Sequence, residues 1–253
     1  MPDNVKTILF RSLHRPGAPL ILFNAWDAGS AQAVIKAGAP AVATGSWSIA
    51  AADGFVDGEK VTRDTHLHAI RSIARATDLP VTADLESGFG ADAAAVAETI
   101  ALAIEAGAIG CNLEDSYPDN GSLRSIEEAA ERYRAARRAA DALCPGFFIN
   151  ARTDVFFQKP EAEHDATMAE EALRRAEAYA QAGADGLFVP GVVDVELIRS
   201  IVAASPLPVN VMRLSATPSI ADLTEAGVAR ISHGPFPYLL AMEALETAAR
   251  EIR

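Results

Sequence analysis

Asp84 and Glu86 stand two apart in the run Val81-Thr82-Ala83-Asp84-Leu85-Glu86-Ser87-Gly88-Phe89-Gly90, and Asn112 and Glu114 stand two apart in Cys111-Asn112-Leu113-Glu114-Asp115. Side chains alternate along a strand, so each pair leaves a single face. Asp53 and Asp57 follow another apolar run, which ends Thr44-Gly45-Ser46. Several carboxylates converging on one site repel one another unless a cation sits among them. Hard oxygen donors with no companion histidine point to Mg²⁺, with Mn²⁺ as the alternative; such an ion keeps several waters and binds few carboxylates directly. Arg152, in Phe148-Ile149-Asn150-Ala151-Arg152-Thr153-Asp154, offers a guanidinium suited to a bidentate grip on a substrate carboxylate. Gly45 leaves backbone N–H groups free to approach an anion closely. Each acid is also a favoured turn or cap residue, and Arg152 has the plainer role of pairing with one of them.

The chain must supply elements that bring these residues together. Four junctions, Ala37-Gly38-Ala39, Ala106-Gly107-Ala108, Ala182-Gly183-Ala184 and Ala226-Gly227-Val228, each close an Ala-rich helical stretch on glycine and open a short apolar run. A second junction type passes from helix to strand through proline, at Pro80, Pro145 and Pro208. Together with Pro19-Leu20-Ile21-Leu22 they mark eight strand starts, near 20–24, 41–45, 80–85, 110–115, 147–152, 186–190, 208–212 and 229–233. Continuous Val/Ile/Leu runs are what parallel strands covered on both faces require. Eight such units in 253 residues define one (β/α)8 TIM barrel over residues 1–253, with a leading helix at 4–14 and a final one at 237–252. In that fold the C-terminal strand ends carry the chemistry, so the acids and Arg152 share one mouth. The long connections 46–62 and 115–125 are expected to act as lids.

Composition narrows the partners. A net charge of −12 disfavours nucleic acid and anionic membrane, while leaving small anions open because a local site inverts the global sign. No apolar stretch approaches a membrane span, and Met1-Pro2-Asp3-Asn4 lacks a signal peptide's apolar segment, so a cytoplasmic protein is expected. Cys111 and Cys144 read as packing residues. Only Lys6, Lys36, Lys60 and Lys159 are present and none ends a strand, which argues against Schiff-base aldolase chemistry. His233, ending the last strand, and Arg213, just past the seventh, are further candidates for the mouth, as acid or base and as anion holder. Trp47 and Tyr117 lie in the two long loops and are placed to shape the pocket or to pack.

Thr44-Gly45-Ser46, Asp57 thirteen residues beyond Thr44, Asp84 to Gly90, Leu113-Glu114-Asp115 and Asn150 to Asp154 follow in the order and spacing of the isocitrate lyase/phosphoenolpyruvate mutase superfamily, which this chain resembles from about residue 20 to 240. The resemblance implies that Asp84 ligates Mg²⁺ directly, that Asp57, Glu86 and Glu114 hold metal-bound waters, and that the Gly45 and Ser46 backbone and Arg152 bind the substrate carboxylate. It implies C–C or P–C bond chemistry beside an α-oxo or 2-hydroxy carboxylate through a metal-stabilised enolate. It also implies a homo-oligomer, dimer or tetramer, with the last helix swapped onto a neighbouring barrel.

The departures select within the superfamily. Isocitrate- and methylisocitrate-type lyases carry a catalytic cysteine among basic residues after the fourth strand, whereas this loop reads Asp115-Ser116-Tyr117-Pro118-Asp119-Asn120-Gly121-Ser122-Leu123. The phosphonate-handling branch carries lysines in that loop, followed by Asn-Ser or Thr-Ser; here the lysines are gone and only Asn120 and Ser122 remain as echoes. Glu86 stands where Asp is commoner, and Val189-Pro190-Gly191 lacks a glutamate that lyases often offer. The first expectation is a Mg²⁺-dependent lyase or decarboxylase of a small oxo or hydroxy di-acid. P–C bond mutase or hydrolase chemistry using Asn120 and Ser122 is the second, and a non-catalytic metal-dependent dicarboxylate binder the third.

Overall fold

In the computed structural model, which describes residues 4–252, the chain opens with helix α1 (Asn4–Leu13) and then enters a wholly parallel sheet. Met1, Pro2 and Asp3, on which the expectation about a leader rests, and Arg253 lie outside the described residues. The elements follow as β1 (Leu20–Leu22), β2 (Asn24–Ala25), α2 (Ala28–Lys36), β3 (Val42–Thr44), α3 (Ser46–Ala52), α4 (Arg63–Arg75), β4 (Val81–Asp84), α5 (Ala93–Glu105) and β5 (Gly110–Glu114). The second half continues as α6 (Ile126–Leu143), β6 (Phe148–Arg152), α7 (Ala166–Gln181), β7 (Gly186–Val189), α8 (Val195–Ala204), β8 (Val209–Met212), α9 (Ile220–Glu225), β9 (Arg230–Ser232) and α10 (Phe236–Glu251).

From β2 to β9 each strand pairs with its successor, and β1 pairs with β9. The ring is therefore a (β/α)8 barrel whose first strand is broken in two at the half-exposed Phe23. The break lets Asn24 turn inward: its Nδ2 donates to the Thr44 carbonyl and its Oδ1 accepts from the backbone N–H groups of His233 and Gly234. One amide side chain thus ties the first, second and last strands together at the mouth. A second departure is α3, a short helix where an irregular loop is expected; it starts on Gly45 and puts Ser46 in its first turn.

Helices end where left-handed backbone is available. The four Ala-Gly junctions place Gly38, Gly107, Gly183 and Gly227 at φ between 84° and 104°. At Gly183 a Cβ would also lie 2.6 Å from the Arg137 side chain, so glycine is required on both counts. Helix starts carry acids or hydroxyls as caps: Asp92 accepts from Ala95 N–H and Asp165 from Met168 N–H. Ala-rich inner faces then pack α5, α6 and α7 on the barrel around Ile100, Tyr133 and Tyr179. Cys111 and Cys144 are buried in that same layer as free thiols, with Cys111 held strongly protonated by burial.

Inside the barrel the register sets three rungs, Gly110 opposite Phe148, Asn112 opposite Asn150, and Glu114 opposite Arg152. The lowest is apolar: α1 caps the barrel with Phe10, and His14 stacks on Phe148 at 4.1 Å. The next is built of buried amides and Arg230, and the uppermost is ionic. Among the described residues no helix is long and apolar enough to cross a membrane.

Candidate active site at the C-terminal mouth

The strand ends enclose a cavity of about 200 Å³, into which Gly45, Ser46, Asp57, Asp84 and Arg152 all project. Asp84, the last residue of β4, is fixed on two sides. Its N–H donates to Thr44 Oγ1 at 2.8 Å, and its Oδ2 accepts from both the backbone N–H (3.1 Å) and the hydroxyl (2.9 Å) of Ser46. Thr44 is therefore a buried support for Asp84 rather than a cavity wall. Among the described residues no protein donor reaches Asp84 Oδ1.

Glu86 is buried one turn beyond, in the left-handed conformation (φ 49°), and accepts the backbone N–H of Glu59. Glu59 is left-handed as well (φ 57°), and its carboxylate accepts from Ser87 Oγ and Phe89 N–H. Phe89 completes a trio at φ 53°. Three non-glycine residues in this costly region pin the 53–62 connection onto the end of β4, the kind of local strain found around functional sites. The pinned connection carries Asp57 into the cavity wall; Asp53 ends α3 instead.

The acids raise one another's proton affinity. Burial pushes the Glu86 carboxyl up to about 8, assisted by Asp57 and Asp84. Asp57 is raised by burial and then by Asp84. Glu114 is raised by burial and by the Asp154, Asp84 and Glu86 carboxylates, against the opposing pull of Arg152. Arg152, in turn, stays charged because Asp154, Glu114 and Asp84 outweigh its own burial. Its Nη1 lies 2.7 Å from Glu114, and Nε and Nη2 grip Asp154 at 2.6 and 3.1 Å. Three of its five N–H bonds are so used, which leaves two for a ligand in the cavity. Arg152 thus takes the plainer role of acid partner and also lines the cavity.

The donor set suits a hard divalent cation: carboxylates destabilised by each other, with no histidine or thiol among them. Among the described residues, no three His, Cys, Asp or Glu side chains converge closely enough to hold an ion directly.

Of the remaining candidates, all but Trp47 lie away from the cavity lining. Asn120 Oδ1 accepts from both the N–H and hydroxyl of Ser122 in an exposed turn. Their loop is stitched outward: Ser116 bridges Leu123, the Tyr117 hydroxyl donates to Glu128 at 2.6 Å, and Arg124 stacks over the Tyr117 ring while bonding the Ser116 carbonyl. It meets the site through the Ser116 hydroxyl, which donates to Asp154 at 2.6 Å and more weakly to Glu114 at 3.4 Å, and Asp119 lies 3.6 Å from Lys60 of the 53–62 connection. The His233 ring hydrogen-bonds the Leu22 carbonyl and packs on Phe23, capping the barrel, and Arg213 meets the Ser232 carbonyl through its backbone N–H. Trp47 lines the cavity and packs edge-on against Tyr238, so it is both wall and filler. The sequence reading missed Asn24, and it missed the polar rung under the cavity. A signal for the rung exists: Asn112, Asn150, Asn210 and Arg230 each stand two residues before the last residue of a strand.

An acid cluster, an arginine and a helix start stand together at the C-terminal mouth, the face where (β/α)8 barrel enzymes carry their active sites. The profile of the phosphoenolpyruvate phosphomutase family matches residues 10–253, and the chain belongs to that family, within the isocitrate lyase/phosphoenolpyruvate mutase superfamily. It is 32% identical to 2-methylisocitrate lyase of Salmonella typhimurium, over 95% of this chain and 84% of that protein. It is 30% identical to oxaloacetate decarboxylase 2 of Pseudomonas fluorescens, over 78% of this chain and 67% of that protein. The crystal structure of a "putative phosphonomutase" from Burkholderia cenocepacia J2315 superposes with a TM-score of 0.96 at 59% identity, covering 99% of both chains.

Proposed function

We propose that this protein is a Mg²⁺-dependent lyase or decarboxylase of a small α-oxo or 2-hydroxy di-acid, with decarboxylation of an α-oxo di-acid as the favoured reaction. The observation that carries the reading is the pairing of a crowded acid cluster around Asp84 with a 115–125 connection that holds neither cysteine nor lysine. When bound, the divalent cation supplies Lewis-acid stabilisation of negative charge on a substrate oxygen. Asp84 would ligate it, with Asp57, Glu86 and Glu114 fixing its waters. The resemblance assigns the Gly45 and Ser46 N–H groups to the substrate carboxylate, but here they donate to the Ala25 carbonyl and to Asp84, so a substrate would have to take over those donors, while Arg152 offers its two uncommitted N–H bonds directly. Asp154 and Glu114 hold that guanidinium rigid, so little order is lost on binding. As the neighbouring C–C bond breaks, its electron pair moves toward the oxo oxygen, CO₂ leaves, and a proton from water replaces it on carbon. No lid acid is needed for this step, whereas isocitrate-type cleavage in the superfamily employs one. The similarity to a decarboxylase and to a lyase supports the reading.

P–C bond chemistry is a second reading, favoured by the 59% identity to the Burkholderia structure. Purified protein with Mg²⁺, offered oxo acids, hydroxy acids and phosphonopyruvate with products followed by NMR, separates the two. CO₂ release from an oxo di-acid supports the first; phosphate or phosphoenolpyruvate among the products replaces it with the second. Binding without turnover across the panel would instead indicate a dicarboxylate binder. The exposed Leu239, Leu240, Met242 and Leu245 of α10 support the homo-oligomer, in which a neighbouring barrel covers them; a monomer by light scattering would remove that part.

A further inference from the structure

The barrel interior changes character between its two lower rungs. Beneath lies an apolar layer of Phe10, Leu22 and Phe148, so the fold accepts hydrocarbon there. Directly above it, under the cavity floor, are Asn112, Asn150, Asn210 and Arg230, each at most 4% exposed. Asn150 Nδ2 donates to Asn112 Oδ1 at 2.9 Å and to Asn210 Oδ1 at 3.0 Å, and Arg230 Nη2 donates to Asn112 Oδ1 at 3.2 Å. Arg230 Nε meets Ser232 Oγ at 3.3 Å, and its Nη1 has no partner among the described residues. No carboxylate pairs with it there, and although burial lowers its pKa to about 10, the guanidinium stays charged at neutral pH. A buried charge without a counter-ion destabilises a fold, and a hydrocarbon rung would fill the same space more cheaply.

What the charge does is fix an amide. Two donors converge on Asn112 Oδ1; turning the amide over would set its NH₂ against a guanidinium and a second NH₂. The orientation is thereby decided. Asn112 lines the cavity, and among the described residues its Nδ2 donates to no protein group, so its N–H bonds face the space a substrate would fill. We infer that Asn112 binds the substrate, donating from the cavity floor to an oxygen of the anion, and that Arg230 is the positioning residue that holds its amide in that sense. The inference rests on the oxo-acid reading for the class of ligand. It adds a specificity element: a ligand with an oxygen at the floor satisfies the donor, and one with a methyl group or hydrogen there strands it.

The test uses the full chain with Mg²⁺ and oxalate, a small planar dianion, as probe. Asn112→Asp keeps shape, gives Arg230 a counter-ion and replaces the floor donor by an acceptor. Its melting temperature should hold or rise while oxalate affinity by calorimetry falls at least tenfold, two movements that a purely structural residue would not combine. In side-chain amide NMR, the Asn112 NH₂ signal, assigned by its loss in that variant, should shift when oxalate binds. In Arg230→Met it should move before any ligand is added and respond less to oxalate. Oxalate affinity of Asn112→Asp within twofold of wild type, or a wild-type Asn112 signal indifferent to bound oxalate, overturns the binding role. An unchanged signal and response in Arg230→Met overturns the positioning role, and the wild-type titration decides the binding role even if a variant fails to fold. Oxalate binding by a wild type that turns over no oxo acid sinks the proposed reaction and leaves this inference standing; turnover with unaffected variants does the reverse. A wild type that ignores oxalate sinks both.

Discussion

Glu114 and Asp115 are neighbours at the end of one strand, both buried carboxylates, and they lead opposite lives. Asp115 points out of the barrel, where its Oδ2 accepts from Arg175 at 3.0 Å and from the Tyr179 hydroxyl at 2.6 Å, and its Oδ1 from the backbone of Asp154. Every lone-pair direction it needs has a donor supplied by α7 and β6. Glu114 points inward, to Arg152 at 2.7 Å, a long hydrogen bond from Ser116 and a cluster of acids that repel it. The outward acid is a joint between elements. Its inward neighbour is half of an incomplete arrangement, and what completes that arrangement is a cation and an anionic ligand. Burial does not separate the two; satisfaction does.

The comparison breaks first at Asp84. Asp84→Ala should lower turnover with Mg²⁺ by about 10³-fold or more, the scale of losing a preorganised charge-stabilising group. It should leave the metal-free fold intact, because one less acid relieves repulsion within the cluster. Calorimetry showing unchanged Mg²⁺ affinity in this variant would remove Asp84 from the metal site.

The outward acid should fail in the opposite way. Asp115→Ala leaves Arg175 to Glu171 and the Arg124 carbonyl and frees the Tyr179 hydroxyl from its acid, a loss of about 3 kcal/mol, the low end of the usual scale for breaking a buried pair. Thermal unfolding should show it as a drop on the order of 10 °C, with the kcat of the protein that remains folded little changed. If Asp115→Ala instead kept its melting temperature and lost activity, Asp115 would belong to the site and the distinction drawn here would collapse.

A smaller effect comes from pH. Glu86 holds its proton to about 8 in the folded chain, whereas an unfolded glutamate loses it near 4.5. The unfolded state is therefore the first to gain from rising pH. Without a divalent ion, stability should fall between about pH 4.5 and 8 and level off above, once both states are ionised. Mg²⁺ favours the ionised form, so the gain in melting temperature on adding it should grow across that window. Glu86→Gln should flatten both trends; slopes that persist in this variant would assign them to another group.

Much of this was legible beforehand, and the reasons are local. Parallel strands buried on both faces must be continuous apolar runs, so their positions could be read to within about two residues, and period-two alternation put Asp84, Glu114 and Arg152 on one mouth. Whether an acid is satisfied could not be read, because the partners of Asp115 come from residues 60 and 64 positions away. Asn24 was hidden for a similar reason: its role depends on a strand break at Phe23 that no turn residue announces. Arg230 sits within an apolar run, where the expectation that strand interiors are hydrocarbon masks a charge. Glu86 and Phe89 were visible as residue types but not as left-handed ones, since only the closing of the 53–62 connection over β4 imposes that backbone.

The smallest expected effect sharpens the comparison on the lid. Asn120 and Ser122 echo residues that grip a phosphonate in relatives, yet here they bond each other in an exposed turn anchored outward by Tyr117, Glu128 and Arg124. Serving a substrate would require that turn to leave those anchors and swing over a cavity it does not line. The double substitution Asn120→Ala and Ser122→Ala should therefore change kcat/KM on an oxo di-acid by about twofold at most, the range of a surface change away from any special feature. Activity on methylisocitrate should be undetectable before and after, since neither residue supplies the acid that such cleavage employs. A tenfold loss on the oxo di-acid would mean that the loop closes during turnover, and the lid would then belong with Glu114 among the groups completed by ligand. Methylisocitrate cleavage with Cys111 and Cys144 both changed to Ser would mean that an acid other than a loop cysteine does that work in this barrel.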